Sequence, residues 1–215
     1  RLQYRRDRRA AFGGGNEWGM FVVDPNTSEN IYVSPGSGAL RRSTDRGRNF
    51  TTLENGLRDY WAAEDKDTKL ASFRHVAVRP GNSNILVGVA SLKDEIKDDN
   101  GNITASYSEK RRIYYSSTKG NNWSIPKDLG TSKGTYVAFA PNNGNRVYVS
   151  TDKGEIFRSN TGGISGWEKP YTAANRPPVG KITSITVEHT DQNTLYITYG
   201  NIYPNVYRSE NGGQN

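Results

Sequence analysis

The chemistry open to this 215-residue chain is narrowed first by what it lacks. With no Cys and two His, disulfides, thiolate metal sites and Cys nucleophiles are excluded, and little is left for a zinc centre. The run Asp98-Asp99-Asn100-Gly101-Asn102 places oxygen donors at alternating positions, as a calcium loop does. Ile103, however, stands where such a loop needs Gly. Between Glu95-Ile96-Lys97 and Ile103-Thr104-Ala105, Asn100-Gly101 reads instead as the two-residue turn of a β-hairpin. No metal and no cofactor is expected. What remains is chemistry by carboxylates and guanidinium groups. Cleaving a glycosidic bond takes two carboxylates that flank it, and gripping an acidic sugar takes several convergent Arg. Glu17 and Asp152 are the carboxylates to test for the first, and Arg58, Arg74 and Arg176 the cations for the second. Of these Arg, only Arg74 leads directly into a predicted strand, so the others would have to converge from loops.

A chemistry turned inward is written in Ser43-Thr44-Asp45-Arg46-Gly47-Arg48-Asn49-Phe50, of the form S-x-D-x-G-x-x-aromatic. The Ser hydroxyl and Asp carboxylate can bond local backbone N–H groups, Gly supplies a backbone angle other residues resist, and the ring folds back on apolar neighbours. Asp45 is therefore expected to be structural, neither acid nor base.

The elements that hold these residues recur four times. Short apolar strands run at Phe21–Pro25, Val76–Pro80, Val137–Pro141 and Ile185–His189, each followed by a polar turn. A second strand follows at Asn30–Val33, Asn84–Val87, Arg146–Val149 and Thr194–Ile197, and a third runs into Ser43, Ser116, Ser159 or Ser209. A period of this length with strands means a propeller or array. The turn after each Ser varies. The second, Ser116 to Trp123, has Thr118 at the Asp position before Gly120; the third, Ser159-Asn160-Thr161-Gly162-Gly163, carries one extra residue before Trp167; the fourth, with Ser209, Asn211 and Gly213, stops at Asn215 short of an aromatic. Ser150-Thr151-Asp152-Lys153-Gly154 satisfies the same pattern but lies one hairpin early, since Ile156 and Phe157 are needed as third-strand residues.

This pattern resembles the Asp-box, or BNR, repeat of sialidase-like β-propellers, found also in xyloglucanases and sortilin-type receptors, and stretches such as Val23-Asp24-Pro25-Asn26 look like those of secreted bacterial BNR-repeat proteins. The resemblance implies an all-β propeller of four-stranded blades, about four of them present, as part of a six- to eight-bladed ring. Residues 1–10 then form a basic arm and 11–215 the propeller segment, with a hairpin inserted at about 91–112. Phe50, Trp123 and Trp167 are expected to be buried beside their turns. In the family the boxes lie on the face away from the catalytic centre, so ligand candidates fall on the opposite loops: Glu17 and Trp18; Tyr60, Trp61, Arg74 and His75; Tyr136; and Asp152, Tyr199 and Tyr203. The start Ala11-Phe12-Gly13-Gly14-Gly15 looks like a xyloglucanase propeller's entrance, yet those enzymes keep an Asp in the following turn, and here no carboxylate lies between Ile31 and Ser43. The expectation is a secreted or cell-surface module that binds glycan or protein. The alternative is a glycoside hydrolase, sialidase-like or xyloglucanase-like, completed outside this segment. Fold alone does not choose between them.

Charge and composition bear on partners. Net charge is +7, but Arg1, Arg5, Arg6, Arg8 and Arg9 against Asp7 place most of it in the arm, so nucleic acid is not an expected partner. An acidic neighbour for the arm is expected, with the remainder of the ring or another polypeptide on the first and fourth repeats. Hydrophobic residues make up only 33%, but 11% aromatics argue for many short strands around a thin core rather than for disorder. No apolar stretch approaches the length of a membrane span.

Overall fold

A computed structural model describes residues 19–34, 40–53, 55–57, 71–97, 103–200 and 205–215. Among the described residues fourteen strands form four antiparallel sheets, each a meander in chain order. The first holds β1 (Met20–Val23), β2 (Ile31–Ser34), β3 (Arg41–Ser43) and β4 (Thr51–Thr52). The second holds β5 (Ser72–Arg79), β6 (Asn82–Lys97), β7 (Ile103–Ser116) and β8 (Ser124–Asp128). In the third, β9 (Gly134–Ala140), β10 (Asn143–Thr151) and β11 (Ile156–Ser159) are joined at the outer edge by a single bridge from Arg158 to Glu168. The fourth contains β12 (Ile182–Val187), β13 (Leu195–Tyr199) and β14 (Val206–Ser209). No helix occurs among the described residues.

Alternation in these strands buries both faces of the second and third sheets, one against the sheet before and one against the sheet after, and one face each of the first and fourth. Three apolar clusters result. Tyr32, Leu40 and Leu53 of the first sheet meet Phe73, Val76, Leu86 and Trp123 of the second. Val87, Val89 and Ile113 meet Val137, Phe139 and Val147, and Ala140, Tyr148 and Ile156 meet Ile185, Leu195 and Ile197. Glycine sets the approach of the second and third sheets. A Cβ at Gly134 would stand 2.5 Å from the Val89 Cβ, so only a residue without a side chain fits there.

The four turns after the third strands share one geometry. Each carries two successive positive φ values, at Arg46 and Gly47, Lys119 and Gly120, Gly162 and Gly163, and Gly212 and Gly213. Ser43 Oγ accepts the Gly47 N–H (2.8 Å) and donates to Asp45 Oδ1 (2.7 Å), which accepts the Asn49 N–H (2.9 Å). Thr118 Oγ1 takes the Asp45 role by accepting the Asn122 N–H (2.8 Å), and Asn211 Oδ1 does so by accepting the Asn215 N–H (3.2 Å). The extra residue of the third turn redirects Ser159 Oγ–H to the Ser165 carbonyl (2.6 Å), while Thr161 Oγ1 accepts the Ser165 N–H (3.1 Å).

Two expectations need correction. Trp123 is buried at 7% exposure and lies 5.2 Å from the Phe73 ring, but Phe50 is 37% exposed and Trp167 is half-buried. The ring after each turn packs toward the preceding sheet, and among the described residues the first sheet has none before it. The second correction is a register. Leu86, not Ile85, stands opposite Ser116 as Ile31 stands opposite Ser43, so Val87 occupies the place of Tyr32. A one-residue slip exchanges the faces of a strand, which is why Leu86 joins the first cluster and Val87 the second. The inserted hairpin is present, since β6 and β7 stay paired out to Lys97 and Ile103; its Asn100-Gly101 turn lies outside the described residues.

Candidate functional site

The loops opposite the Ser turns connect second to third strands and lead from one sheet to the next inner strand. Glu17, Trp18, Tyr60, Trp61 and Tyr203 lie outside the described residues. The other candidates fall in two groups. His75 of β5 and Tyr136 of β9 meet across the second and third sheets with rings stacked at 3.8 Å, and His75 Nδ1 accepts the Val137 N–H (3.3 Å). Burial pulls His75 down to about 4, so the imidazole is neutral near pH 7 and unsuited to holding an anion by charge. Arg74, one residue earlier, is exposed.

The second group surrounds the loop from β10 to β11. Asp152 Oδ1 accepts the Lys133 N–H (2.7 Å) and Asp152 N–H donates to the Lys133 carbonyl (2.9 Å), which staples this loop to the approach of β9. The Ser150–Gly154 sequence is therefore a turn of a different kind, closed by Thr151 Oγ1, which accepts the Glu155 N–H (3.1 Å). Tyr199 is buried at 3% exposure, and its hydroxyl donates to the Pro178 carbonyl (2.9 Å). Burial, with Tyr207 and Tyr171 nearby, pushes that phenol up to about 12. Tyr199 thus supports the segment before β12 from beneath.

Between this loop and the segment from Glu168 to Lys181 opens a cavity of about 460 Å³, lined by Lys153, Glu155, Lys169, Tyr171, Arg176 and Val179 among others. Lys169 Nζ donates to Glu155 Oε1 (2.6 Å) and lies 5.4 Å from the centre of the Phe157 ring. Lys153 Nζ donates to Thr131 Oγ1 (2.6 Å), and the Arg176 side chain is exposed. Burial opposes ionisation of Glu155, but hydrogen bonds from Lys169, Ser132 and Thr151 and the Lys169 charge outweigh it, leaving the carboxyl below its ordinary value. Glu155 is then an anion already paired, not a proton donor in waiting. The lining holds three cations against one carboxylate. The sequence carries no signal for Lys169 with Glu155, since Glu155 falls on an unspecified position of the Ser150–Phe157 pattern and Lys169 in no motif; their pairing exists only once the loop and the outer edge of the third sheet are folded together.

No family model matches the chain, and no curated protein matches it. Among solved structures it is similar to an ancestral GH74 enzyme, at 24% identity and a TM-score of 0.58 over 88% of this chain and 24% of that one. The GH74 xyloglucanase from Xanthomonas campestris is similar at 15% identity and a TM-score of 0.62, over 90% of this chain and 29% of that one. A chain of the COPII outer coat vertex on membranes is similar at 12% identity and a TM-score of 0.53, over 83% of this chain and 43% of that one. The chain spans about a quarter of the length of the first two. These likenesses show the fold: the four sheets are blades of a β-propeller.

Proposed function

We propose that this segment is a secreted or cell-surface propeller module of Asp-box type that binds, without cleaving, an anionic group carried by a glycan or a protein. The observation that carries this reading is the cavity beside the β10–β11 loop, where Lys153, Lys169 and Arg176 face one carboxylate that Lys169 already occupies. Such a lining attracts carboxylate or sulfate, and the Tyr171 ring and Val179 add an apolar wall. The carboxylates of this loop are both engaged, Asp152 with backbone and Glu155 with Lys169, which supports binding over acid–base cleavage. A glycan array that includes uronic, sialic and sulfated sugars tests it. Binding is expected to the acidic members, to weaken with salt, and to be lost in Arg176→Glu with melting unchanged; equal binding of neutral glycans overturns the anionic site, and uniform silence overturns the glycan as its carrier.

A second reading is favoured by the likeness to two GH74 enzymes: a glycoside hydrolase whose catalytic set is completed outside this segment. Turnover on a glycoside panel that is abolished by Glu17→Gln or Asp152→Asn, with folding intact, would establish it. In either case the module contacts another polypeptide, or the remainder of its own ring, through the first and fourth repeats, and the basic arm lies on an acidic neighbour.

A further inference from the structure

The cations of the cavity beside the β10–β11 loop are not equivalent. Lys153 Nζ is drawn aside to Thr131 Oγ1 and Lys169 Nζ to Glu155 Oε1, whereas Arg176 is exposed and makes no hydrogen bond or ion pair among the described residues. One guanidinium is therefore free. Its planar fork matches a carboxylate, with parallel N–H donors to the two oxygens. The Tyr171 hydroxyl lies within range of the Lys169, Glu155 and Arg176 charges, so all three face one space.

The second feature is the pair itself. Lys169 Nζ and Glu155 Oε1 are 2.6 Å apart, with side chains 44% and 24% exposed, so the pair opens on the cavity. Lys169 keeps ammonium protons to spare. Bonds from Lys169, Thr151 and Ser132 fill all but about one of the roughly four acceptor positions of the Glu155 carboxylate. A donor and an acceptor thus lie side by side. A hydroxyl can meet both, because its one oxygen donates and accepts. A peptide group carries its N–H and C=O on opposite edges, and a sulfate ester offers acceptors only.

The third feature is the wall. Val179 is 64% exposed, and Pro177 and Tyr171 are half-buried beside it. Gly154, at φ 78°, approaches the Pro178 carbonyl so closely that a Cβ would overlap it, and the Tyr199 hydroxyl donates to that same carbonyl (2.9 Å). The two sides of the cavity are thereby fixed against each other. A preformed site favours a rigid ligand, which has little freedom to lose. A pyranose ring is rigid, and it presents C–H groups on one face.

We infer that the cavity recognises a hexuronate unit of an acidic polysaccharide, its carboxylate on Arg176, its ring hydroxyls on the Lys169–Glu155 pair and its C–H face on Pro177 and Val179. This rests on the reading that the cavity binds an anionic group, and it names both the anion and its carrier. Glu155 separates a uronate site from a plain cluster of cations. Toward an anion alone it acts only by repulsion; toward a hydroxyl it is an acceptor.

Isothermal titration calorimetry on the full chain tests it. The probes are trimers of galacturonate, glucuronate, mannuronate and guluronate, each beside its carboxyl-reduced form, a sulfated galactose trimer and a triglutamate peptide. At least one uronate trimer is expected to bind about tenfold or more tightly than its reduced form, the sulfated trimer and the peptide. Glu155→Gln is expected to weaken that uronate about tenfold and to strengthen the sulfated trimer. Methylating the ring hydroxyls of the uronate is expected to weaken it as much, a measurement that needs no variant to fold. Undiminished binding of the methylated trimer, or of the uronate by folded Glu155→Gln, overturns the proposal. A sulfated trimer or peptide bound more tightly than every uronate also overturns it, and leaves the anionic site standing with another carrier. If no acidic probe binds, or reduced trimers bind as tightly as acidic ones, the anionic reading falls as well.

Discussion

Asp45 is held at about 2 from an ordinary 3.8 by the Asn49 backbone N–H and by the Ser43 hydroxyl and Asn49 side chain. A carboxyl so depressed binds protons less readily folded than unfolded, so its contribution is present above about pH 4 and is lost as pH falls toward 2. Asp45→Ala is expected to lower the melting temperature at neutral pH. Asp45→Asn is expected to lower it less, since Asn211 fills the same position in the fourth turn, and to remove this part of the acid sensitivity; equal losses in the two variants would show that the acceptor is unimportant. His75 shifts in the same direction for another reason. Burial takes it from 6.5 to about 4, so the unfolded chain binds its proton first and stability falls as pH drops from about 6.5 to 4. Over that window the loss attributable to His75 is of order 3 kcal/mol. His75→Gln keeps an acceptor for the Val137 N–H and is expected to flatten the slope in a pH series of chemical denaturation curves.

At the scale of the element, the turn aromatics separate two situations that look alike in sequence. Trp123 fills the space between the first and second blades, with Phe73 against it and Leu53 nearby in the same cluster. Removing it in Trp123→Ala is expected to cost about 3–5 kcal/mol in denaturant unfolding. Phe50 lies beside the corresponding turn, 3.8 Å from where a Gly47 Cβ would be, but faces a surface that no described blade covers. Phe50→Ala is expected to cost under about 1 kcal/mol in the isolated chain, because a half-exposed ring forfeits little burial on truncation. Equal costs at the two positions would mean that the first blade is covered in solution.

For the whole molecule, stability depends on how closely successive blades approach. Gly134 begins β9 against Val89 of β6, and any Cβ there forces the second and third blades apart. Gly134→Ala is expected to destabilise by roughly 1–3 kcal/mol as an overpacked core does, and a neutral result would show that the blades slide freely. Polar links reinforce the same spacing outside the core. Asn26 Nδ2 donates to the Arg79 carbonyl (2.9 Å), Arg79 Nη2 to Asn145 Oδ1 (2.9 Å), and Asn142 Nδ2 to the Thr190 carbonyl (2.6 Å), each joining one blade to the next. Three successive junctions thus tie the turns after the inner strands together.

Much of this architecture was legible in the chain alone. Strand identity follows from alternation, and the Ser turns follow from local hydrogen bonds within a few residues of Ser43, Ser116, Ser159 and Ser209, so short-range chemistry sufficed to place them. Asp152 was also separable from the Asp of a Ser turn, because Ile156 and Phe157 had to serve as strand. Three things needed the tertiary structure. The register of Leu86 and Val87 depends on which neighbour covers each face, and Ile85-Leu86-Val87 is apolar throughout. The exposure of Phe50 depends on whether a blade precedes it. Lys169 meets Glu155 only because the edge of the third blade folds back on its own loop. Each of these is a relation between segments far apart in the chain, which local patterns do not encode.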